Sequence, residues 1–367
     1  MTNTKLKFSY IDGNPPYNAS GIILNKPSHK KFYDALGSGG KHGSLAFLMK
    51  AVDNIEKNGK ICYIIPTNGM VLENSIGFRE YISSTCSITY LWITNKDVFR
   101  NKQTNKLEAC IQGNTFIIQL TKSKNLPCVV ETEYSSGLSF KAETNYSKYN
   151  SKYFPLILSE LAESAMNKNI HGNGIRLDDI LLKGAMHNNI SNTEIKFTDS
   201  PPSGNYIKVM AKLNRGENIK YGWTEVEEGK NRFLWKVVFS PICKIKEILQ
   251  YGKISSAIIP SGVSVQTNYS YLKSETESEA LYIQKCLSHP LIVISITQLF
   301  DNAYINNSNL GKLNIPPYDE NIQDIDSYIW DFYKITFDEK TEVKSLYNLI
   351  YMTEKSQMKK VIIDDKI

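Results

Sequence analysis

A chain of 367 residues with 41% hydrophobic and 11% aromatic content is long enough for two cores of ordinary size and too apolar to be disordered. No apolar run approaches the roughly 20 residues that span a bilayer, and the N-terminus lacks the apolar core and cleavage site of a signal peptide, so a cytoplasmic protein with no membrane partner is expected. The formal charge of +6 suits a polyanion partner without requiring one.

Cys62, Cys86, Cys110, Cys128, Cys243 and Cys286 are scattered without C-x-x-C spacing, and the five histidines form no ligand-spaced pair. Neither a disulfide framework nor a metal site is expected.

In chain order, the apolar run Phe8, Tyr10, Ile11 reads as a strand that ends at Asn14-Pro15-Pro16-Tyr17. Two consecutive prolines fix φ and remove two backbone donors, so the Asn14 amide, the proline carbonyls and the Tyr17 ring are held in a preset geometry. Such a turn suits a flat polar aromatic object; standing alone, it also reads as a turn with a solvent-facing tyrosine. A polar loop follows, from Asn18 to Lys41. Leu45, Leu48, Met49, Val52 and Ile55 then recur at helical spacing, with Asn58-Gly59 as the expected C-cap. Lys60 to Ile65 is a buried-type strand stopped by Pro66, and Thr67-Asn68-Gly69 is a turn. A helix through Gly77 to Ile82 and a strand from Ser87 to Ile93 continue an α/β alternation. Asp97-Val98-Phe99, Ala109 to Ile111 and Asn114 to Leu120 follow, read as an antiparallel hairpin at the sheet edge.

Residues 132–152, rich in Ser, Tyr, Lys and Asn, read as a linker. Phe154 to Met166 reads as a helix opening a second domain, which continues with short strands and turns through 205–244 and 254–272. There Lys212, Arg215, Lys220, Arg232 and Lys236 interleave with Tyr221, Trp223 and Trp235, a mixture that suits phosphates and unpaired bases; the tryptophans serve equally as core residues. Gln266, Thr267 and Asn268 have the amides and hydroxyl that read adenine or thymine edges. His171-Gly172-Asn173-Gly174 lacks a preceding apolar strand and reads as a loop. Ile315-Pro316-Pro317-Tyr318 repeats the Pro-Pro-Tyr turn, but an aliphatic residue replaces the amide, so it reads as structural.

Asn14 to Tyr17 resembles motif IV of amino-methyltransferases acting on DNA, in the form typical of adenine-N6 enzymes. The order beyond it is similar too: Gly59 to Pro66 as a Gly-x-x-x-x-Ile-x-Pro strand, then the Phe78-Arg79 helix, then Phe99 before the hairpin. The resemblance implies an α/β fold, a partial Rossmann-like methyltransferase sheet over residues 1–131, followed after the linker by a mixed α+β target-recognition domain over 153–367 with a helical tail that runs through the capping-box-like Thr336-Phe337-Asp338-Glu339. It further implies restriction-modification DNA adenine-N6 methylation with S-adenosylmethionine. Asn14, Pro15, Pro16 and Tyr17 would be the catalytic turn and Phe99 a second wall of the base pocket. Arg215, Lys220, Arg232, Lys236, Gln266 and Asn268 would contact double-stranded DNA. The family's Phe-x-Gly-x-Gly motif I is not found, so cofactor residues stay unassigned. A partner polypeptide carrying motif I, with an open edge at the strand before Asn14, is the expectation for a split or truncated enzyme. The alternative is a DNA-binding specificity subunit or relic without chemistry.

Overall fold

A computed structural model describes residues 7–15, 32, 36, 43–66, 75–94, 99–100, 107–108, 115–134, 137–149, 153–182, 190–213, 219–225, 231–240, 252–299 and 307–364. It divides into two compact units, residues 1–163 with 297–303, and 164–296 with 304–367.

The first unit is an α/β sheet. Strand β1 (Phe8–Gly13) is followed by helix α1 (Gly43–Asn54), β2 (Ile55–Pro66), α2 (Ile76–Thr85) and β3 (Ser87–Thr94). The short strands β4 (Phe99–Arg100) and β5 (Leu107–Glu108) pair with each other, and β6 (Thr115–Thr121), β7 (Cys128–Glu133) and β8 (Ser139–Thr144) complete the set. The sheet order is β1-β2-β6-β3-β7-β8. β1 and β2 are parallel, as are β3 and β7, and β6 runs antiparallel to both of its neighbours. Adjacent parallel strands need a crossover, which α1 supplies by burying Leu45, Leu48, Met49 and Val52. Each such side chain removed from water contributes about 1.5–3 kcal/mol. The fold class is the expected one, a Rossmann-like α/β sheet.

Several expectations are corrected. The strand read as part of an edge hairpin, β6, lies inside the sheet. Phe116, Ile118 and Leu120 are wholly buried there, and both backbone edges are paired. The helix ends at Asn54, not at Asn58-Gly59. Those two residues belong to an irregular start of β2, where Asn58 takes φ 63 and the β1 register jumps between Phe8 and Tyr10. The Asn58 N–H donates to the Lys122 carbonyl, and the Lys122 N–H to that of Gly59, so β6 ties the irregularity down. A Cβ on Gly59 would stand 2.7 Å from Ile55 Cγ1 and 3.0 Å from the Ser9 carbonyl, a closeness that only glycine permits.

The expected linker at 132–152 is no linker. It holds the end of β7, all of β8 antiparallel to it, and a 3₁₀ turn at Tyr146–Tyr149. Its tyrosines are core groups. Tyr146 and Tyr149 are buried, Tyr149 donates to Glu163, and Tyr146 donates to the Pro155 carbonyl at 2.9 Å. The expected helix from Phe154 begins later, as α3 (Glu160–His171), because Pro155 denies a donor and an α conformation to the stretch before it.

The second unit holds β9 (Ile175–Arg176), α4 (Leu177–Ile180), β10 (Leu181–Leu182), β11 (Ile207–Leu213), β12 (Ile219–Thr224), β13 (Trp235–Phe239), β14 (Ser256–Ile259), β15 (Ser264–Val265) and β16 (Ser270–Ser274). Helices α5 (Glu277–Leu287), α6 (Pro290–Leu299), α7 (Asn307–Leu310), the strand β17 (Asn314–Ile315), α8 (Ile325–Phe332) and α9 (Phe337–Asp364) follow. Two small sheets, β10-β16-β13-β14 and β12-β11-β15, enclose a core of Met210, Val238, Ile259, Val265 and Tyr271. This is the mixed α+β layout expected of the second half. The capping box before α9 is present: the Thr336 N–H donates to Glu339 Oε2 at 2.7 Å, and the Glu339 N–H to Thr336 Oγ1 at 3.3 Å. No single described helix is long and apolar enough to cross a membrane.

Candidate functional site

In an open α/β sheet, ligands collect beyond the carboxyl ends of the strands. β1, β2 and β3 run in one direction and end at Gly13, Pro66 and Thr94. Asn14 and Pro15 follow β1 directly, so the first half of the turn stands on that edge, with Asn14 exposed and Pro15 buried. An exposed amide beside a buried proline leaves a hydrogen-bonding group facing solvent on a fixed base. Phe99 opens the β4 hairpin that follows β3, which puts its backbone downstream of the same edge. Pro16, Tyr17, the expected turn at 67–69 and, apart from residues 32 and 36, the expected loop at 18–41 lie outside the described residues.

Beside β1 runs an open groove of about 420 Å³ lined by Phe8, Tyr10, Asp12 and Tyr63 with Phe47 and Lys50 of α1. Phe8, Tyr10 and Asp12 share a face because strand side chains alternate. Phe8 is 45% and Tyr10 55% exposed, unusual for aromatics on a strand that pairs on one side, among the described residues, with β2 alone. Gly13 faces Tyr63 across the ladder, where a Cβ would approach Tyr63 Cε1 to 3.3 Å. The ring therefore lies close against the strand end. Sequence reading did not single out Asp12 or Tyr63, although the period-2 pattern Phe8, Tyr10, Asp12 contains the signal.

The thiol chemistry is quiet here. Burial raises the Cys62 thiol, with the Tyr10 hydroxyl contact acting the other way, and burial raises Cys86 as well. Cys286 is pushed up to about 12 by burial. Protonated thiols are poor nucleophiles, so no covalent step through a described cysteine is indicated. Among the described residues no cluster of His, Cys, Asp or Glu fits a metal ion. None forms a glycine-rich strand-to-helix cradle for a nucleoside cofactor either. Gly172 and Gly174 have another use: a Cβ on Gly174 would stand 2.5 Å from the Ile315 carbonyl, and one on Gly172 2.8 Å from the Lys168 carbonyl. They permit close packing against β17 and α3. The second Pro-Pro-Tyr is likewise structural, since Tyr282 donates to the Pro316 carbonyl at 2.9 Å and Tyr328 to that of Pro317 at 3.1 Å.

In the second unit the expected DNA contacts separate. Lys220 and Asn268 are exposed and Arg232 is half-buried. Lys236 is corrected: it is wholly buried on β13, and its ammonium donates to the carbonyls of Leu234 at 2.7 Å, Arg232 at 3.0 Å and Val263 at 3.1 Å. A charge so enclosed cannot meet a phosphate; β13 is buried on both faces from Lys236 to Phe239, and the carbonyls that hold the ammonium come partly from the distant Val263. Gln266 is also corrected, being 4% exposed on the run after β15. Arg215 lies outside the described residues. The structure adds lysines resting on aromatic rings: Lys220 over Phe197 at 4.2 Å, Lys208 over Tyr221 at 4.4 Å and Lys196 over Tyr206 at 4.6 Å. Trp223 bridges to Lys196 and pairs with Lys208, so cations and rings alternate across neighbouring segments. Half-exposed stems on rings with charged heads in water are what a polyanion meets first.

Residues 1–99 match the family described as Eco57I restriction-modification methylase. A search of the curated proteins finds no match. Among solved structures, the chain is similar to the type IIL restriction-modification enzyme MmeI in complex with DNA, at 10% identity and a TM-score of 0.46, over 95% of this chain and 57% of that one. It is similar to the type IIG restriction endonuclease BpuSI at 12% identity and a TM-score of 0.38, over 95% of this chain and 54% of that one. A nuclease-deletion mutant of the type ISP enzyme LlaGI, with a DNA substrate mimic, gives 11% identity and a TM-score of 0.40, over 89% of this chain and 41% of that one. The chain thus spans about half the length of these structures.

Proposed function

We propose that this chain is the base-handling and DNA-reading part of a restriction-modification methyltransferase that acts on adenine N6. The observation that carries the reading is the sequence Asn14-Pro15-Pro16-Tyr17, whose first two residues follow β1 directly, inside the segment that matches a restriction-modification methylase family. Adenine N6 within a duplex is out of reach, so the base is flipped out, at a few kcal/mol, and stacks on Tyr17, with Phe99 as the facing wall. Asn14 Oδ1 and the Pro15 carbonyl accept the two N6 hydrogens. That pulls the nitrogen lone pair out of the ring's conjugation and turns it toward the donor. The N6 lone pair would displace the methyl from the donor sulfonium, whose sulfur would leave as a neutral thioether, and the methylated N6 would then release one proton to solvent; positioning helps more than proton abstraction, and no covalent intermediate is required.

The methyl donor of this chemistry is S-adenosylmethionine. The described residues do not by themselves form its cradle, and a partner polypeptide, or chain in addition to these residues, supplies it in this proposal. Among the described residues β1 pairs with β2 alone, and with the exposed Phe8 and Tyr10 beside it this supports such pairing. Lys220, Arg232 and Asn268, with the lysine and ring alternation around Trp223, serve the duplex.

Asn14→Ala in the assembled enzyme tests this. Dipoles aimed at developing charge are worth on the order of a hundredfold in rate, so methyl transfer should fall by that factor or more while duplex affinity is kept. Undiminished transfer would remove Asn14 from the site.

A further inference from the structure

Phe233 is 72% exposed, in the turn that leads into β13, and its backbone is tied by hydrogen bonds on both sides. The Leu234 N–H donates to the Asn231 carbonyl at 3.2 Å, closing the turn. Across from it, the Gly262 N–H donates to the Arg232 carbonyl at 2.9 Å, and Arg232 Nε returns a bond to the Gly262 carbonyl at 3.1 Å. Ser261 Oγ donates to the Phe233 carbonyl at 2.7 Å. Beneath both turns, the buried Lys236 ammonium holds the carbonyls of Arg232, Leu234 and Val263. All three consecutive carbonyls at 232, 233 and 234 are thus bonded, and the two turns are tied into one body.

Enclosing an ammonium is unfavourable unless hydrogen bonds offset it, and here three carbonyls from two surface turns do so. What Lys236 secures is the backbone from which Phe233 projects. The ring stands in water with the Arg232 guanidinium 5.4 Å from its centroid. A rigid aromatic post beside a cation matches one partner chemistry well: an unstacked nucleobase, which takes the ring against its π face, with its phosphate within reach of the guanidinium. Apolar side chains held in this way enter duplexes at base steps.

We propose that Phe233 is a stacking wedge for DNA, which inserts at an unpaired or opened base position while Arg232 meets the adjacent phosphate. This rests on the DNA-binding part of the proposed function. It gives Lys236, removed above from the phosphate contacts, the role of a positioning residue for the wedge.

The test is fluorescence anisotropy of the full chain with two labelled duplexes of one sequence, one fully paired and one with a single unpaired adenine, across a salt series. The wild-type chain should prefer the bulged duplex. Phe233→Ala should lose about tenfold in affinity for it, and with that the preference, because stacking on one base is worth about that factor. The salt slope should not change, since a phenyl ring displaces no counterion. Phe233→Trp should retain the preference, and all variants should melt with the wild type, as the ring is exposed. Phe233→Ala that binds both duplexes as the wild type does would overturn the wedge and leave DNA binding standing. A wild-type chain that binds neither duplex would overturn both. A change of oligomeric state in Phe233→Ala would assign the ring to a protein interface and end the proposal.

Discussion

Acid should destabilise the second unit through one imidazole, and His289→Asn should remove that sensitivity. His289 immediately precedes α6, with Pro290 as the first helical residue. Its Nδ1 accepts from the Leu291 N–H at 3.2 Å, which fixes the ring proton on Nε2. Nε2 lies 3.1 Å from Asp326 Oδ1 without the alignment of a full hydrogen bond, and the Trp330 ring packs 4.5 Å away. Burial pushes the pKa of His289 down from about 6.5 to about 4; Asp326 opposes the fall and Lys344 adds to it. Protonating Nδ1 also turns two hydrogens toward each other at the helix start.

A group with a depressed folded pKa of this kind binds its proton more readily in the unfolded chain. Its contribution is therefore complete above about pH 6.5 and is lost on acidification toward pH 4. The loss is about 2 kcal/mol by pH 5 and about 3 kcal/mol by pH 4. Asparagine at a helix N-cap accepts the same N–H through Oδ1 and does not titrate, so it keeps the cap and removes the linkage. The assay is the urea midpoint by far-UV circular dichroism from pH 7 to 4.5. Wild type should lose stability across this window and His289→Asn should be nearly flat. Both chains then weaken below about pH 4, where carboxylates held low in the fold, such as Glu339 and Asp326, take up protons. Equal slopes in the two chains between pH 7 and 5 would refute this role for His289.

Lys236→Met removes the ammonium from three carbonyls, of which that of Arg232 keeps the Gly262 N–H, and urea titration should show a loss of about 2–3 kcal/mol. Gly174→Ala forces a methyl to within 2.5 Å of the Ile315 backbone and should cost about 2–3 kcal/mol by the same measurement, with no change in duplex affinity. Thr336→Ala breaks the capping box before α9 and should lower stability by about 1 kcal/mol, read as a shift in the urea midpoint.

The elements legible in the sequence were those with a local cause. Leu45, Leu48, Met49 and Val52 at helical spacing, the apolar run before Pro66 and the Thr336 to Glu339 box each state their conformation within a few residues. What stayed hidden depends on distant partners. Tyr146 and Tyr149 looked like linker residues because their acceptors, Pro155 and Glu163, come later and their burial is set by packing. Lys236 looked like a phosphate ligand because composition shows a charge and not the three carbonyls folded around it. β6 looked like an edge because insertion between β2 and β3 is a matter of topology, which periodicity does not record. Of the candidate site, the sequence supplied Asn14 and Pro15, and the fold supplied their place at the carboxyl edge and the groove beside β1. Phe233 carried no signal at all, since exposure is invisible in a composition.

The most direct test of the central claim is nucleoside mass spectrometry of DNA from cells that carry this chain together with its neighbouring reading frames. N6-methyladenine present with the wild-type chain and lost with Asn14→Ala is the expected result. N6-methyladenine at the same level in the Asn14→Ala cells, or methylation found only on cytosine, would contradict it.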